Sequence, residues 1–277
     1  MKILSCGAGM QSTALALMSC ENKLKGNVHP LVPIYDAVIF CDLGFEPEWV
    51  LKQAKFIEKA CKAVGIPYYT IPTGLYEDYL EKFGNSRVAS IPFWSVSDTG
   101  KKARMRRNCT IDYKIEKINR FVRYELLGYR YREHIRKCDI AAHEMHIGFS
   151  AEEKKRAFES YNKMFVNKYP LIEMGLTRSD NYKYILEVWG LETKASACTF
   201  CPFHQNYFYK YIKEHYPKDY KAVVEFDEML EEKQPQTKIR DRIFISKSRK
   251  RIADLSDEEC NDAQTFDYEG KQIWNGF

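Results

Sequence analysis

Short apolar runs alternate with longer amphipathic stretches over the first quarter of this chain. Lys2-Ile3-Leu4-Ser5 leads into a run of very small residues, Cys6-Gly7-Ala8-Gly9, and then into Met10-Gln11-Ser12-Thr13 and the apolar stretch Ala14-Leu15-Ala16-Leu17-Met18. The pattern predicts strand, loop and helix. A second apolar run over 36–41 ends in Asp42-Leu43-Gly44-Phe45-Glu46-Pro47, a helical stretch over about 48–64 follows, and 67–71 is a third strand candidate. Pro47 suits the first turn of that helix. Alternating strands and helices at this spacing predict an α/β fold, a doubly wound parallel sheet that carries its ligands at the carboxyl ends of the strands.

The first loop has the composition of a phosphate cradle. Small residues let backbone N–H groups approach a ligand, and the helix N-terminus behind them carries partial positive charge. Ser5, Gly7, Ala8, Gly9, Gln11, Ser12 and Thr13 are therefore expected to bind a cofactor, with hydroxyl donors at Ser12 and Thr13. The loop lacks both the Gly-Lys-Ser/Thr ending of a Walker loop and the spacing of a dinucleotide fingerprint. Asp42 and Glu46, at and just past the end of the second strand, are expected at the same ligand edge; the alternative for Asp42 is to cap a turn.

At 277 residues the chain is long for one domain and short for two, which suggests a nucleotide-binding α/β domain over 1–190 and a helical or irregular C-terminal portion over 191–277. Met1-Lys2 runs straight into a core strand, and no apolar stretch approaches membrane-spanning length, so a cytoplasmic protein without membrane contact is expected. Its nine cysteines are then thiols or metal ligands before they are disulfides. The net charge of +5 is uneven: the stretch 101–137 holds thirteen basic and four acidic residues. Such a cluster suits a nucleic acid or another anionic acceptor, and otherwise a solvated helix face.

Cys198-Thr199-Phe200-Cys201-Pro202-Phe203-His204 is the strongest metal signal. A Cys-x-x-Cys turn offers two thiolates, His204 is close enough to be a ligand, and Cys109 is the best remaining partner. Arg104, Arg106 and Arg107, just before Cys109, are expected to lower its pKa. Redox dithiol, zinc, iron–sulfur cluster and buried apolar thiols remain open uses of this turn. Cys6, Cys20, Cys41 and Cys61 fall within apolar or helical patterns and are expected in the core.

Six segments in order resemble the phosphoadenosine phosphosulfate (PAPS) reductase-like branch of the adenine nucleotide α-hydrolase superfamily, whose relatives include the N-type ATP pyrophosphatases. They are the loop over 7–13, the strand end over 39–47, Arg107-Asn108-Cys109 with Ile111-Asp112-Tyr113-Lys114, Ile147-Gly148-Phe149-Ser150 running on to Arg156, Tyr169-Pro170-Leu171-Ile172-Glu173, and 194–204. The resemblance implies an enzyme that binds ATP or a related adenine nucleotide with magnesium and cleaves or transfers at the α-phosphate. It adds Gly148 to the cofactor site and implies Lys114 and Arg156 as catalytic cations. It also favours an iron–sulfur cluster on Cys109, Cys198 and Cys201, completed by His204 or an external ligand, with zinc as the alternative, and sulfur transfer as the coupled chemistry.

Two other functions stand beside this one, a sulfonucleotide reductase and a nucleotide-binding protein without catalysis, and departures from the family pattern bear on both. Met10 and Gln11 stand where the family loop commonly has Lys and Asp, which leaves room for a nucleotide-binding protein without catalysis. Asn108-Cys109 keeps one cysteine of a Cys-Cys pair, and the Glu-Cys-Gly signature near the C-terminus of sulfonucleotide reductases is absent, which counts against a reductase of PAPS or its unphosphorylated relative. The expected partners are the adenine nucleotide and an acceptor, with self-association left open.

Overall fold

Strand β1 (Lys2–Cys6) is the middle strand of a five-stranded sheet of order β3-β2-β1-β6-β7, formed with β2 (Ala37–Asp42), β3 (Tyr68–Pro72), β6 (His143–Ile147) and β7 (Phe165–Lys168). It pairs in parallel with both neighbours, Cys6 beside Phe40 and Ile3 beside Met145. The computed structural model describes residues 1–261, 265–266 and 272–273. The chain forms two compact units: Met1–Cys41, Trp49–Ile71 and Glu116–Ser196 make the first, and Asp42–Glu48, Pro72–Ile115 and Ala197–Phe277 the second. The tail residues Trp274, Asn275, Gly276 and Phe277 lie outside the described residues.

In the first unit, near-continuous apolar runs form the central strands β1 and β2, buried on both faces as the middle of a parallel sheet requires. Ile3, Ala37, Ile39 and Met145 on one face pack in a cluster with Ile118 and Val122, at and just after α4 (Glu116–Phe121). Leu4 and Val38 on the other face are fully buried, and Phe40 nearly so. Helix α1 (Met10–Lys25) is buried along most of its length and packs against α6 (Arg178–Trp189). The α/β character and parallel sheet follow the sequence pattern, and the three predicted strands and the helix α2 (Glu48–Ala63) form within a residue or so of expectation. Cys6, Cys20, Cys41 and Cys61 are all buried. After β3 the chain returns to the other side of β1, so the strand order reverses between β1 and β6.

The second unit contains α3 (Leu75–Lys82), α7 (Asn206–His215), α8 (Pro217–Lys233) and an antiparallel sheet of order β5-β4-β8, made of β4 (Trp94–Val96), β5 (Lys102–Arg104) and β8 (Arg242–Phe244). Its core is aromatic. Phe200 is fully buried, with ring centres 4.7 Å from Phe226 and 5.9 Å from Tyr76, and Phe45 lies 4.8 Å from Tyr76. Edge and offset contacts at these separations add to the area term. Among the described residues no helix is long and apolar enough to cross a membrane.

Candidate functional site

The loop after β1 is held by its own small residues. Ala8 adopts a left-handed backbone at φ 53°, Ser12 Oγ accepts from the Gly7 N–H at 3.2 Å, and the same hydroxyl donates to Gly9 O at 3.3 Å. Gly9 caps α1 in an extended conformation with no side-chain hydrogen bond. The first-turn N–H groups therefore gain no acceptor from the cap residue, as at anion-binding helix ends. Ser12 thus braces the loop, and Thr13 is fully buried. Met10 is buried too.

Two glycines let other segments close on this loop. A Cβ on Gly148, just past the end of β6, would lie 2.8 Å from Ser12 N and 3.1 Å from the carbonyl carbon of Gln11. One on Gly9 would lie 2.6 Å from Ser196 Oγ and 3.2 Å from Ser196 N. The absence of a side chain at Gly9, which the sequence associates with a ligand, is thus required by the close approach of Ser196. That approach is organised by Gln53 of α2, whose amide donates to the carbonyls of Ala8 and Lys194 and accepts from the Lys194 N–H. Trp49 Nε1 donates to Ala195 O at 3.1 Å.

Charge is concentrated on one carboxylate beside α1. Glu153 Oε2 accepts from Gln11 Nε2 at 2.9 Å and from the N–H and hydroxyl of Ser150, both at 3.4 Å. Its Oε1 is ion-paired with Arg156 and lies 3.4 Å from Arg178 Nη2. The Arg156 guanidinium also sits 4.5 Å over the Phe149 ring. Gln11, Gly148 and Arg156, separated along the chain, are thereby brought to the carboxyl ends of β1 and β6. Sequence reasoning passed over Gln53, Glu153, Arg178 and Ser196. Gln53 had a signal: it is a polar residue on the helix stripe formed by the buried Val50, Ala54, Ile57 and Cys61.

The remaining expected residues belong to the second unit. Asp42 Oδ1 accepts from Gly44 N at 2.9 Å, and its carbonyl accepts from the N–H and hydroxyl of Thr73, so it does cap a turn. Glu46 is 6% exposed. Burial pushes its carboxyl up to about 7, Lys114 pulls it down and Asp42 pushes it further up. Glu46, expected at the same edge as Asp42, is thus a carboxyl that titrates near neutrality beside a lysine.

The Cys-x-x-Cys turn is anchored by Phe200 in the aromatic core, by Thr199 N donating to Phe45 O at 3.0 Å and by Trp94 Nε1 donating to Pro202 O at 2.9 Å. Cys198 and Cys201 are hydrogen-bonded through their sulfurs, which lowers Cys201 and raises Cys198; the Phe203 N–H, Arg107 and Lys114 also favour the Cys201 thiolate. Cys109 corrects an expectation. Burial and the neighbouring Cys201 raise its pKa, and Arg107 and Lys114 do not offset them. Cys201, and not Cys109, is the thiol whose ionisation is eased.

His204 is buried and neutral, its pKa lowered to about 3 by desolvation, and its Nε2 lies 2.9 Å from Cys198 O. A carbonyl only accepts, so Nε2 carries the proton and is not the ligating atom. The soft donors and nearby cations suit a thiolate-bound metal. Among the described residues, however, no three His, Cys, Asp or Glu side chains form a group that could hold an ion. No family model and no curated protein matches this chain.

Proposed function

We propose that the chain binds ATP or a related adenine nucleotide at the carboxyl ends of β1 and β6 and catalyses cleavage or transfer at the α-phosphate. One observation carries the reading. At the point where the strand order reverses, a small-residue loop, a helix N-terminus without a side-chain cap and two arginines on one carboxylate come together. Such crevices are where open α/β sheets take their ligands, and the strand order supports a doubly wound sheet of the adenine nucleotide α-hydrolase kind.

In this reading the N–H groups of the first turn of α1 hold phosphate oxygens, while Arg156 and Arg178 face the charge that grows on the leaving pyrophosphate. Magnesium, arriving with the nucleotide, would supply further charge neutralisation. An acceptor oxygen attacks the α-phosphorus, its bond to the bridging oxygen breaks, and pyrophosphate leaves. Glu153 keeps both guanidinium groups in place before the nucleotide arrives.

The test is incubation with magnesium and α-labelled ATP, with binding followed by calorimetry. Binding with release of AMP and pyrophosphate, weakened at least tenfold in the Arg156→Ala/Arg178→Ala double variant, is the expected result. Absence of ATP binding by folded protein would overturn the proposal, and binding without turnover would leave a nucleotide-binding protein. A sulfonucleotide reductase is the second reading, supported by the eased ionisation of Cys201 beside Arg107 and Lys114. Its signature is sulfite released from PAPS in the presence of a thiol reductant. Iron, sulfide and zinc analysis of anaerobically purified protein decides whether the cysteines carry a metal.

A further inference from the structure

We propose that the outward face of the β5-β4-β8 sheet binds single-stranded nucleic acid by stacking its bases on the outer faces of a ladder of paired arginine and aromatic side chains. The strand register puts Trp94, Lys102, Arg104 and Arg242 on one face, together with Phe244, which Arg242 and Arg251 cover, and puts Ser95 and the fully buried Ile243 on the other. Across the outward face runs a ladder of alternating planes. The Arg249 guanidinium lies 5.2 Å from the Trp94 ring centre and that of Arg104 lies 5.3 Å from it; Arg104 is also 4.7 Å from the Phe203 ring, and Arg107 is 5.0 Å from Phe203. Arg249 is held in this pose by its own bonds to the carbonyls of Ser95 and Lys247, at 3.3 and 3.1 Å.

The surrounding charge complements a phosphate backbone. Lys101, Lys102, Arg104 and Arg106 are exposed. Among the described residues none of the four has a carboxylate within ion-pair distance. A guanidinium lying on a ring is planar on its outer side as well, so the ladder offers stacking surface and positive charge together. Bases in a duplex are already stacked on one another, and their faces are closed to such a ladder. A face of three strands, about 4.8 Å apart, has room for two or three nucleotides. A plain polyanion would meet the lysines and leave the rings unused.

This proposal does not rest on the nucleotide reading, because its residues lie in the second unit and its test contains no ATP. Fluorescence anisotropy compares labelled single-stranded 12-mers of RNA and DNA with a duplex of the same length, using polyglutamate and heparin as competitors. Single strands of either sugar should bind at least tenfold more tightly than the duplex and quench tryptophan emission, and Trp94→Phe should remove most of the quenching. Trp94 also anchors Pro202, so the exposed Arg104→Glu, checked for unchanged melting temperature, is the second variant. It should weaken single-strand binding at least fivefold. Lys102→Gln should reduce the salt slope by about one. Equal affinity for duplex and single strand, displacement by polyglutamate at equal charge, or binding unchanged in Arg104→Glu would overturn the proposal.

Discussion

Glu21 in the first unit and Glu46 in the second are both buried glutamates, 7% and 6% exposed, yet their surroundings treat them in opposite ways. Burial alone would raise Glu21, but hydrogen bonds from Lys25, Tyr184 and His29 overcome it and bring the carboxyl down to about 2. Burial wins at Glu46, where Lys114 only partly opposes it, and the carboxyl stands at about 7. Three donors make one carboxylate a brace, and their shortage leaves the other poised to exchange a proton. The first unit invests its polar groups in holding shape. The second keeps one charge unsettled beside its thiols.

The largest effect should come from breaking the exception to that pattern. Asp227, 1% exposed, is fully satisfied by Arg251 Nη1 and the Ile252 N–H, both at 2.8 Å. Asp227→Ala would remove the buried partner of the Arg251 guanidinium, leave it only the half-exposed Glu231 carboxylate at 3.2 Å, and free the Ile252 N–H, and should cost about 3–5 kcal/mol in urea unfolding. A loss below 1 kcal/mol would mean that the second unit does not depend on this pair.

Glu46→Gln should sharpen the contrast through pH. A carboxyl raised in the folded state binds its proton there while the unfolded chain has released it, so wild-type stability falls as pH rises from about 4.5 to about 7. The variant should lack that slope and be more stable by about 3 kcal/mol above pH 7. Parallel stability curves for the two proteins would contradict the burial argument. Gly148→Ala comes next. Its methyl meets backbone at Ser12 and Gln11 and should cost about 1–3 kcal/mol, with a parallel loss of ATP affinity in calorimetry.

Glu21→Gln should act in the opposite window from Glu46. The lowered carboxyl stabilises the fold above pH 4.5, and that contribution is lost as pH falls towards about 2. With Lys25 60% exposed, about 1–2 kcal/mol is expected after solvent screening, read from acid unfolding midpoints. The smallest stability change should be that of Arg156→Ala. Its pair with Glu153 is half exposed and should be worth under about 1 kcal/mol, while ATP binding should suffer measurably.

Much of the first unit was legible because burial on both faces writes itself as continuous apolar runs, and the strands at 2–6 and 37–42 are such runs. The antiparallel sheet was not legible: its strands are three residues each, β5 reads Lys-Ala-Arg, and its partner β8 is distant in sequence. The loop was recognisable from its small residues, but their work was not. Glycine at 9 and 148 reports close approach without naming what approaches, and the neighbours proved to be Ser196 and the first turn of α1. Cys109 shows a different limit. Flanking arginines are visible in sequence, whereas the burial that outweighs them exists only after folding.

Gln53 spends its whole amide on one junction, joining Ala8 to Lys194 across most of the first unit's length. Chain between joined points can lengthen cheaply, since each doubling of a loop adds only about 0.6 kcal/mol of closure cost. The junction therefore insulates the loop geometry from whatever is spliced in between. New segments between α2 and Lys194 can be gained or lost over evolutionary time while the same few atoms keep the same address.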